Sequence, residues 1–325
     1  MENVFIKIFR TLIISVVSMC SAYAQDAYPS RMITIVVPFP AGSVTDNIAR
    51  TIQTPLAEVL GQTVIIDNKP GASGVIGAKH VQSAAPDGYT ILMPTNGLVI
   101  PPIISSSSGY DAEKSFEPIV PISKQPLVLA VHQSVRAKNL KEFIEEAKLK
   151  PGEITFASSG PESITYAFTE LFARKAGIKI LQIPYKGQSP ALQAVYAGDV
   201  NAMLNVSSGQ MRSFAENGKI RLLGVSSVEQ TPLAPGVPAI ATEVPGFSGD
   251  VWFGFFAPKG VPVLVVAKLN EAVNKVLAMQ EVRQKIFELG AQPMGGSADD
   301  LAKQLHTELI ELKDIMSDFK DQGSK

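Results

Sequence analysis

Cysteine is all but missing from this chain. Cys20 stands alone among 325 residues, so no disulfide framework is possible and a thiolate metal site or cysteine nucleophile is excluded downstream of it. Histidine is nearly as scarce. His80, His132 and His306 fall outside the polar loops of the chain, and no GxSxG elbow or HExxH pair occurs. No catalytic constellation is expected, and no metal or cofactor. Neither sign of charge dominates: 29 Lys and Arg stand against 30 Asp and Glu, with no basic stripe of the kind that binds nucleic acid. After residue 24 no apolar run approaches the length that spans a bilayer.

The first 24 residues have a different character. Lys7 and Arg10 form a basic start, residues 11–19 are short and largely apolar, and Ala22-Tyr23-Ala24 fits a small-x-small cleavage site. This pattern predicts a secretory signal peptide removed after Ala24, leaving a soluble exported chain. Met19 before Cys20 is a poor match to lipoprotein processing. The remaining 300 or so residues must rest on hydrophobic cores, enough for one large or two modest domains.

Residues 33–50, ITIVVPFPAGSVTDNIAR, are the stretch around which the chain is organised. Ile33, Ile35, Val36 and Val37 read as a buried parallel strand. Pro38 and Pro40 stop it, Ala41, Gly42 and Ser43 make a small-residue turn, and Ile48, Ile52 and Leu56 lie four apart on a helical face. A loop of this kind exposes backbone N–H groups at the positive end of a helix dipole, a fitting place for a carboxylate. The plainer reading stands beside it: Thr45 as a cap and Asp46 facing first-turn N–H groups, with nothing bound.

Further strands are predicted at residues 63–66, 90–93, 127–131, 154–157, 180–183, 200–204 and 221–225, alternating with helical patterns such as 139–150. That alternation means an α/β fold with mostly parallel sheets, whose anion sites lie beyond the carboxyl ends of strands. Residues 118–126 and 237–249, rich in Pro, Gly and small residues, read as two crossings between lobes. Lobe 1 then comprises residues 25–124 and 246–325, and lobe 2 residues 125–245. Ser297 is expected to cap a last helix carrying Leu301, Leu305, Leu309 and Leu312.

Several loops are candidates for the cleft. The glycine-rich 68–77, NKPGASGVIG, fits neither the dinucleotide fingerprint nor the phosphate loop; close packing of a helix on a strand is the favoured reading. Thr95-Asn96 in PTNG and Ser158-Ser159 in ASSG follow strands. In residues 184–191, PYKGQSPA, Tyr185 offers a ring and a hydroxyl, Lys186 a cation and Gly187 a close backbone approach.

Together these loops make the chain resemble the tripartite tricarboxylate transporter substrate-binding proteins, the Bug family of periplasmic receptors. The resemblance runs from about Tyr28 to the C-terminus and rests on YPSRMITIVVPFPAGSVTDNIAR, NKPGASGVIGA, APDGYTILMPTNG, ITFASSG, IPYKGQSPA, AGDV, NGKIRLLGVSS and WFGFFAPKGVP in the family's order. It implies a type II, two-lobed periplasmic binding protein-like fold with two hinge crossings, a small carboxylate ligand, membrane permease subunits as partner and a monomeric receptor. The implied ligand contacts are Phe39, Pro40, Ala41, Gly42, Ser43, Thr45 and Asp46 from the first loop, with Thr95, Asn96, Ser158, Ser159 and Tyr166. Tyr185, Lys186, Gly187, Pro190, Ala191 and Asn205 complete the set. Four positions depart from the pattern: Ser43 where Gly is common, Pro161-Glu162 in a Gly- and Asn-rich step, Tyr166 for a frequent His and Asn205 for a frequent Asp. A sensing receptor that signals to a membrane regulator is the alternative to transport. Hydrolysis by Ser158 or Ser159 is disfavoured, since no His accompanies either.

Overall fold

The computed structural model describes residues 28–316; the expected signal peptide and its cleavage site lie outside them. Two sheets carry the chain. The first contains β1 (Ile33–Val37), β2 (Val64–Asn68), β3 (Thr90–Leu92), β4 (Phe116–Gln125), β10 (Val251–Pro258) and β11 (Gln292–Pro293), in the order β11-β4-β10-β3-β1-β2. The second contains β5 (Leu127–His132), β6 (Thr155–Ser158), β7 (Leu181–Pro184), β8 (Ala202–Val206) and β9 (Ile220–Val225), in the order β7-β6-β8-β5-β9. The helices are α1 (Val44–Leu60), α2 (Val75–Gln82), α3 (Ile100–Ile104), α4 (Leu140–Leu149), α5 (Ile164–Ala176), α6 (Gln188–Ala197), α7 (Gly209–Glu216), α8 (Val263–Ala278), α9 (Gln280–Glu288) and α10 (Ala298–Met316). In β1 four of the five side chains are wholly buried, as in a sheet covered on both faces.

Each sheet has a parallel trio, β1 with β2 and β3, and β6 with β7 and β8. Each also contains reversed strands, β10 and β11 in the first sheet and β5 in the second. β10 is antiparallel to β3 and β4, and β5 is antiparallel to β8 and β9. Chain connectivity explains this. β4 runs with the first trio, and after Pro126 the chain continues as β5 into the second sheet, entering from the end where that trio finishes. β10 makes the return entry in the same way. A strand that enters from the carboxyl end must run backwards. Lys124 and Asp250, beside the two crossings, form an ion pair of 3.4 Å. Ser226 Oγ donates to Asp250 Oδ1 at 2.8 Å and accepts from Leu127 N at 2.8 Å.

The crossing expected over residues 118–126 narrows to its last residue, Pro126, because Phe116–Gln125 is a strand of 10 residues. Proline cannot donate to a ladder and is tolerated at bulges and lightly paired edges. Pro118 and Pro121 sit opposite Phe256 and Gly254, beside the two register shifts of the β10 pairing. On the other side β11 pairs only with Lys124 and Ser123. β10 was likewise unforeseen. Local caps follow the sequence pattern: Ser43, Asn139 and Ser163 accept from the N–H three residues on. Asp300 N donates to Ser297 Oγ at 3.1 Å at the start of α10.

The glycine-rich 68–77 segment packs α2 against the end of β1. A Cβ at Gly77 would lie 2.7 Å from Pro38 Cβ and 3.1 Å from the Lys69 carbonyl oxygen, so only glycine allows this approach. Gly77→Ala should therefore destabilise the protein by about 1–3 kcal/mol, read as a lower urea midpoint; an unchanged midpoint would show that the α2 contact can relax.

Candidate functional site

The turn after β1 is held by its own carboxylate. Asp46 Oδ2 accepts from Gly42 N at 2.8 Å and from Arg50 Nε at 2.9 Å, while Oδ1 accepts from Asn68 Nδ2 at 2.9 Å. The side chain is 1% exposed. Burial alone would raise its pKa, but the hydrogen bonds from Arg50, Gly42 and Asn68 and the Arg50 charge outweigh burial and hold the carboxyl below its ordinary value. Asp46 was expected as a ligand contact; it is an internal strut. Ser43, the departure from glycine, supplies the helix cap by accepting from Asp46 N at 3.2 Å.

What the strut leaves open is the front of α1. With the third helical N–H capped, those of Val44 and Thr45 have no hydrogen-bond partner among the described residues. They lie at the positive end of a helix of 17 residues, where an anion is stabilised. The Asp46 charge just behind them is matched by Arg50. Phe39, Pro40, Ala41 and Gly42 are half-buried or exposed along the same turn.

In the second sheet, Tyr185 N donates to Ser158 O at 2.8 Å, tying the loop after β7 to the end of β6. Gly187 precedes α6 with φ 107°, a conformation that favours glycine. Pro190 occupies the third helical position, so it has no N–H to offer. Lys186 is exposed and Tyr185 half-buried. Ala191 is wholly buried and its N–H donates to Gly187 O at 3.4 Å, so its place is in the core rather than in a ligand shell. Ser158 Oγ and Asn205 Nδ2, at the ends of β6 and β8, are buried with no hydrogen-bond partner among the described residues, while Asn205 Oδ1 accepts from Val206 N at 2.8 Å. Ser159 is half-buried. Tyr166, also half-buried, has its hydroxyl pKa pushed up to about 12 by desolvation and then by Glu170.

A cavity of about 180 Å³ opens between the loops of the two sheets. Phe39 and Thr95 of the expected contacts line it, together with Ser73, Tyr110, Glu162 and Ile164. Ser73 Oγ donates to Glu162 Oε2 at 2.9 Å, joining the loop before α2 to the loop before α5. Ser73 was missed by sequence reasoning; the glycines on either side of Ala72 and Ser73 were its available signal, since both residues have positive φ.

Asn96 faces elsewhere. It is wholly buried, and its Nδ2 donates to Asp250 O and Glu308 Oε1, leaving no N–H for a ligand. Trp252 Nε1 donates to the other oxygen of Glu308. Glu308 lies on the inner stripe of α10, seven residues after Leu301 and three after Leu305, where a carboxylate is the local anomaly. Desolvation raises its pKa to about 8 against the opposing bonds from Trp252 and Asn96, with Glu311 and Asp250 adding to the rise. Glu308 and Trp252 border a second cavity, separate from the interlobe one, whose lining includes Lys124 and Lys303. The histidines lie apart from the interlobe cavity: His306 Nδ1 meets Glu113 at 2.7 Å and His132 Nδ1 meets Ser134 Oγ at 2.8 Å. Among the described residues no helix is long and apolar enough to cross a membrane, and no group of three or more His, Cys, Asp or Glu is placed to hold a metal.

Because the folded state keeps the Glu308 proton above the ordinary carboxyl range, its stabilising effect is complete below about pH 4.5 and fades as pH rises through about 8. Replacing it with Gln should remove roughly 2–4 kcal/mol of this pH dependence. Urea unfolding of wild type and Glu308→Gln from pH 5 to 9 measures it, and parallel curves would contradict the assignment.

The profile of the family described as "Tripartite tricarboxylate transporter family receptor" matches residues 48–320. Protein BugT of Bordetella pertussis is 31% identical over 89% of this chain and 89% of its own length. Among solved structures, the Rhodopseudomonas palustris protein Rpa4515 with adipate is 33% identical, covers 89% of this chain and 97% of its own, and superposes with a TM-score of 0.75. MatC of the same organism, with bound malate, is 32% identical, covers 89% and 100%, and gives 0.73. The two-sheet α/β architecture, the order of the loops and these matches agree: the chain belongs to the tripartite tricarboxylate transporter receptors, the Bug-type solute-binding proteins.

Proposed function

We propose that this protein is a periplasmic receptor that captures a small carboxylate between its two lobes and delivers it to the permease of a tripartite tricarboxylate transporter. The observation that carries this reading is the open front of α1. The Val44 and Thr45 N–H groups are unengaged, while the nearest carboxylate, Asp46, is buried and matched by Arg50. Gly42, at φ 81° with open space where a Cβ would stand, keeps side-chain bulk away from the approach. Two relatives whose solved structures hold adipate and malate support a carboxylate as the class of cargo.

Ser158, Asn205 and the loop around Lys186 furnish the facing wall. The lobes divide at about residues 125 and 246, next to the Lys124–Asp250 pair. A ligand touching both lobes favours the closed arrangement by its differential affinity for it, and the closed form is the one the permease recognises. The receptor works as a monomer and performs no reaction of its own.

A thermal-melt panel of mono-, di- and tricarboxylates with their neutral amides tests the reading. An acid at 100 times its Kd should stabilise by about 2.7 kcal/mol, a shift of a few degrees, and its amide should not. Gly42→Asp should abolish that shift, whereas Gly42→Asn, with similar backbone strain but no charge, should retain most of it. Equal loss in both variants, or shifts with the amides, would contradict a carboxylate held at this turn.

A further inference from the structure

Resting on the carboxylate-receptor reading, we propose that Glu162 makes this receptor selective for acids with a single carboxylate and an apolar body, and that it turns dicarboxylates away. The interlobe cavity is one-sided in its chemistry. Pro38, Phe39, Pro94, Leu98 and Ile164 give it hydrocarbon walls. The Tyr110 hydroxyl at its edge is engaged with Leu98 O at 2.9 Å, and Thr95 Oγ1 accepts from Gly97 N at 3.1 Å. No Lys, Arg or His is among its described lining residues, and Glu162 is the one carboxylate there.

The position of Glu162 is built. Ala72 and Ser73 both hold left-handed backbone, φ 46° and 52°, a conformation costly for residues other than glycine. It carries the Ser73 hydroxyl to Glu162 across the mouth at 2.9 Å. Below, a Cβ at Gly97 would lie 3.9 Å from Ile164 Cβ, so the two lobes are in contact beneath this bridge. Glu162 is thus a lobe 2 charge set over a cavity floored by lobe 1.

The wall residue Phe39 belongs to the turn that precedes α1, and its carbonyl accepts from Asn68 Nδ2 at 3.2 Å, the same amide that holds Asp46. Phe39 is shared by that turn and the cavity lining, so the body of a ligand whose carboxylate sits at Val44 and Thr45 has the apolar cavity beside it. A space of about 180 Å³ matches one aromatic ring or a short aliphatic chain, since a cavity of ~150 Å³ accepts benzene. A second carboxylate at the far end would meet Glu162 with no cation to offset it. Even with the screening of bulk water, like charges about 4 Å apart disfavour binding by about fivefold, and salt weakens the effect.

The test is calorimetric titration of wild type and Glu162→Gln with matched acids: hexanoate against adipate, and benzoate against terephthalate, at low and high salt. Glu162 is exposed, so the variant should fold as the wild type does. The expected result is a monoacid preference of at least about fivefold in wild type, shrinking at high salt and largely lost in Glu162→Gln. A wild-type preference for the diacids, or a ratio unchanged by Glu162→Gln, would overturn the selectivity and leave the carboxylate reading in place. If none of the four acids bound wild type while a neutral amide did, the carboxylate reading would fall and this proposal with it.

Discussion

The carboxylate of Asp46 is the constraint on which the candidate site depends. It joins the turn after β1 through Gly42, its own helix through Arg50 and the neighbouring strand through Asn68. A buried carboxylate is tolerated only when its acceptor capacity is met, and here three donors meet it. The turn is thereby rigid before any ligand arrives. Rigidity matters because dipoles already oriented toward an anion need no reorganisation on binding. The Asp46 charge is itself offset by Arg50, whose Nε lies 2.9 Å away.

The sheets place that turn where a second body can face it. The interlobe cavity is lined from the loops after β1, β2, β3 and β6, and the loop after β7 is tied to the end of β6 through Tyr185 N and Ser158 O. The reversed strands β5 and β10 follow from a chain that crosses between sheets twice. Ion pairs of α5 with α10, Arg174 with Asp314 and Lys175 with Glu311, tie the far side. Glu308, Asn96 and Trp252 stiffen the region between the crossing strands and α10.

Much of this was legible in the residues because the signals are local. The run from Ile33 to Val37 reads as a strand since β-branched residues fill a sheet buried on both faces. Thr45 was read as the cap of the first helix, but the cap is Ser43, two residues earlier, and Asn139 and Ser163 likewise stand immediately before their helices. Non-local pairing was harder to see. Pro118 and Pro121 argued against a strand, and only the bulges of β4 itself, where Ile119 and Ile122 are the extra residues against β10, admit them. The site divided in the same way. The backbone geometry of the first turn could be inferred from small residues before a helix, but the partner of Asn96 lies 212 residues away. Asp46 and Ala191 were expected as ligand contacts along with their neighbours; burial places both inside. The Ser73–Glu162 bridge, 89 residues apart in sequence, had no periodic pattern to reveal it.

The most direct test of carboxylate capture at the front of α1 is a crystal structure of the receptor with the acid that shifts its melting point most. The distances to read are those from the ligand carboxylate oxygens to Val44 N and Thr45 N. Hydrogen bonds of about 2.8–3.0 Å to at least one of them are expected, with the Asp46 bonds to Gly42, Arg50 and Asn68 intact. A carboxylate bound elsewhere, or one that displaces Asp46 from Gly42, would contradict a preformed site at this turn.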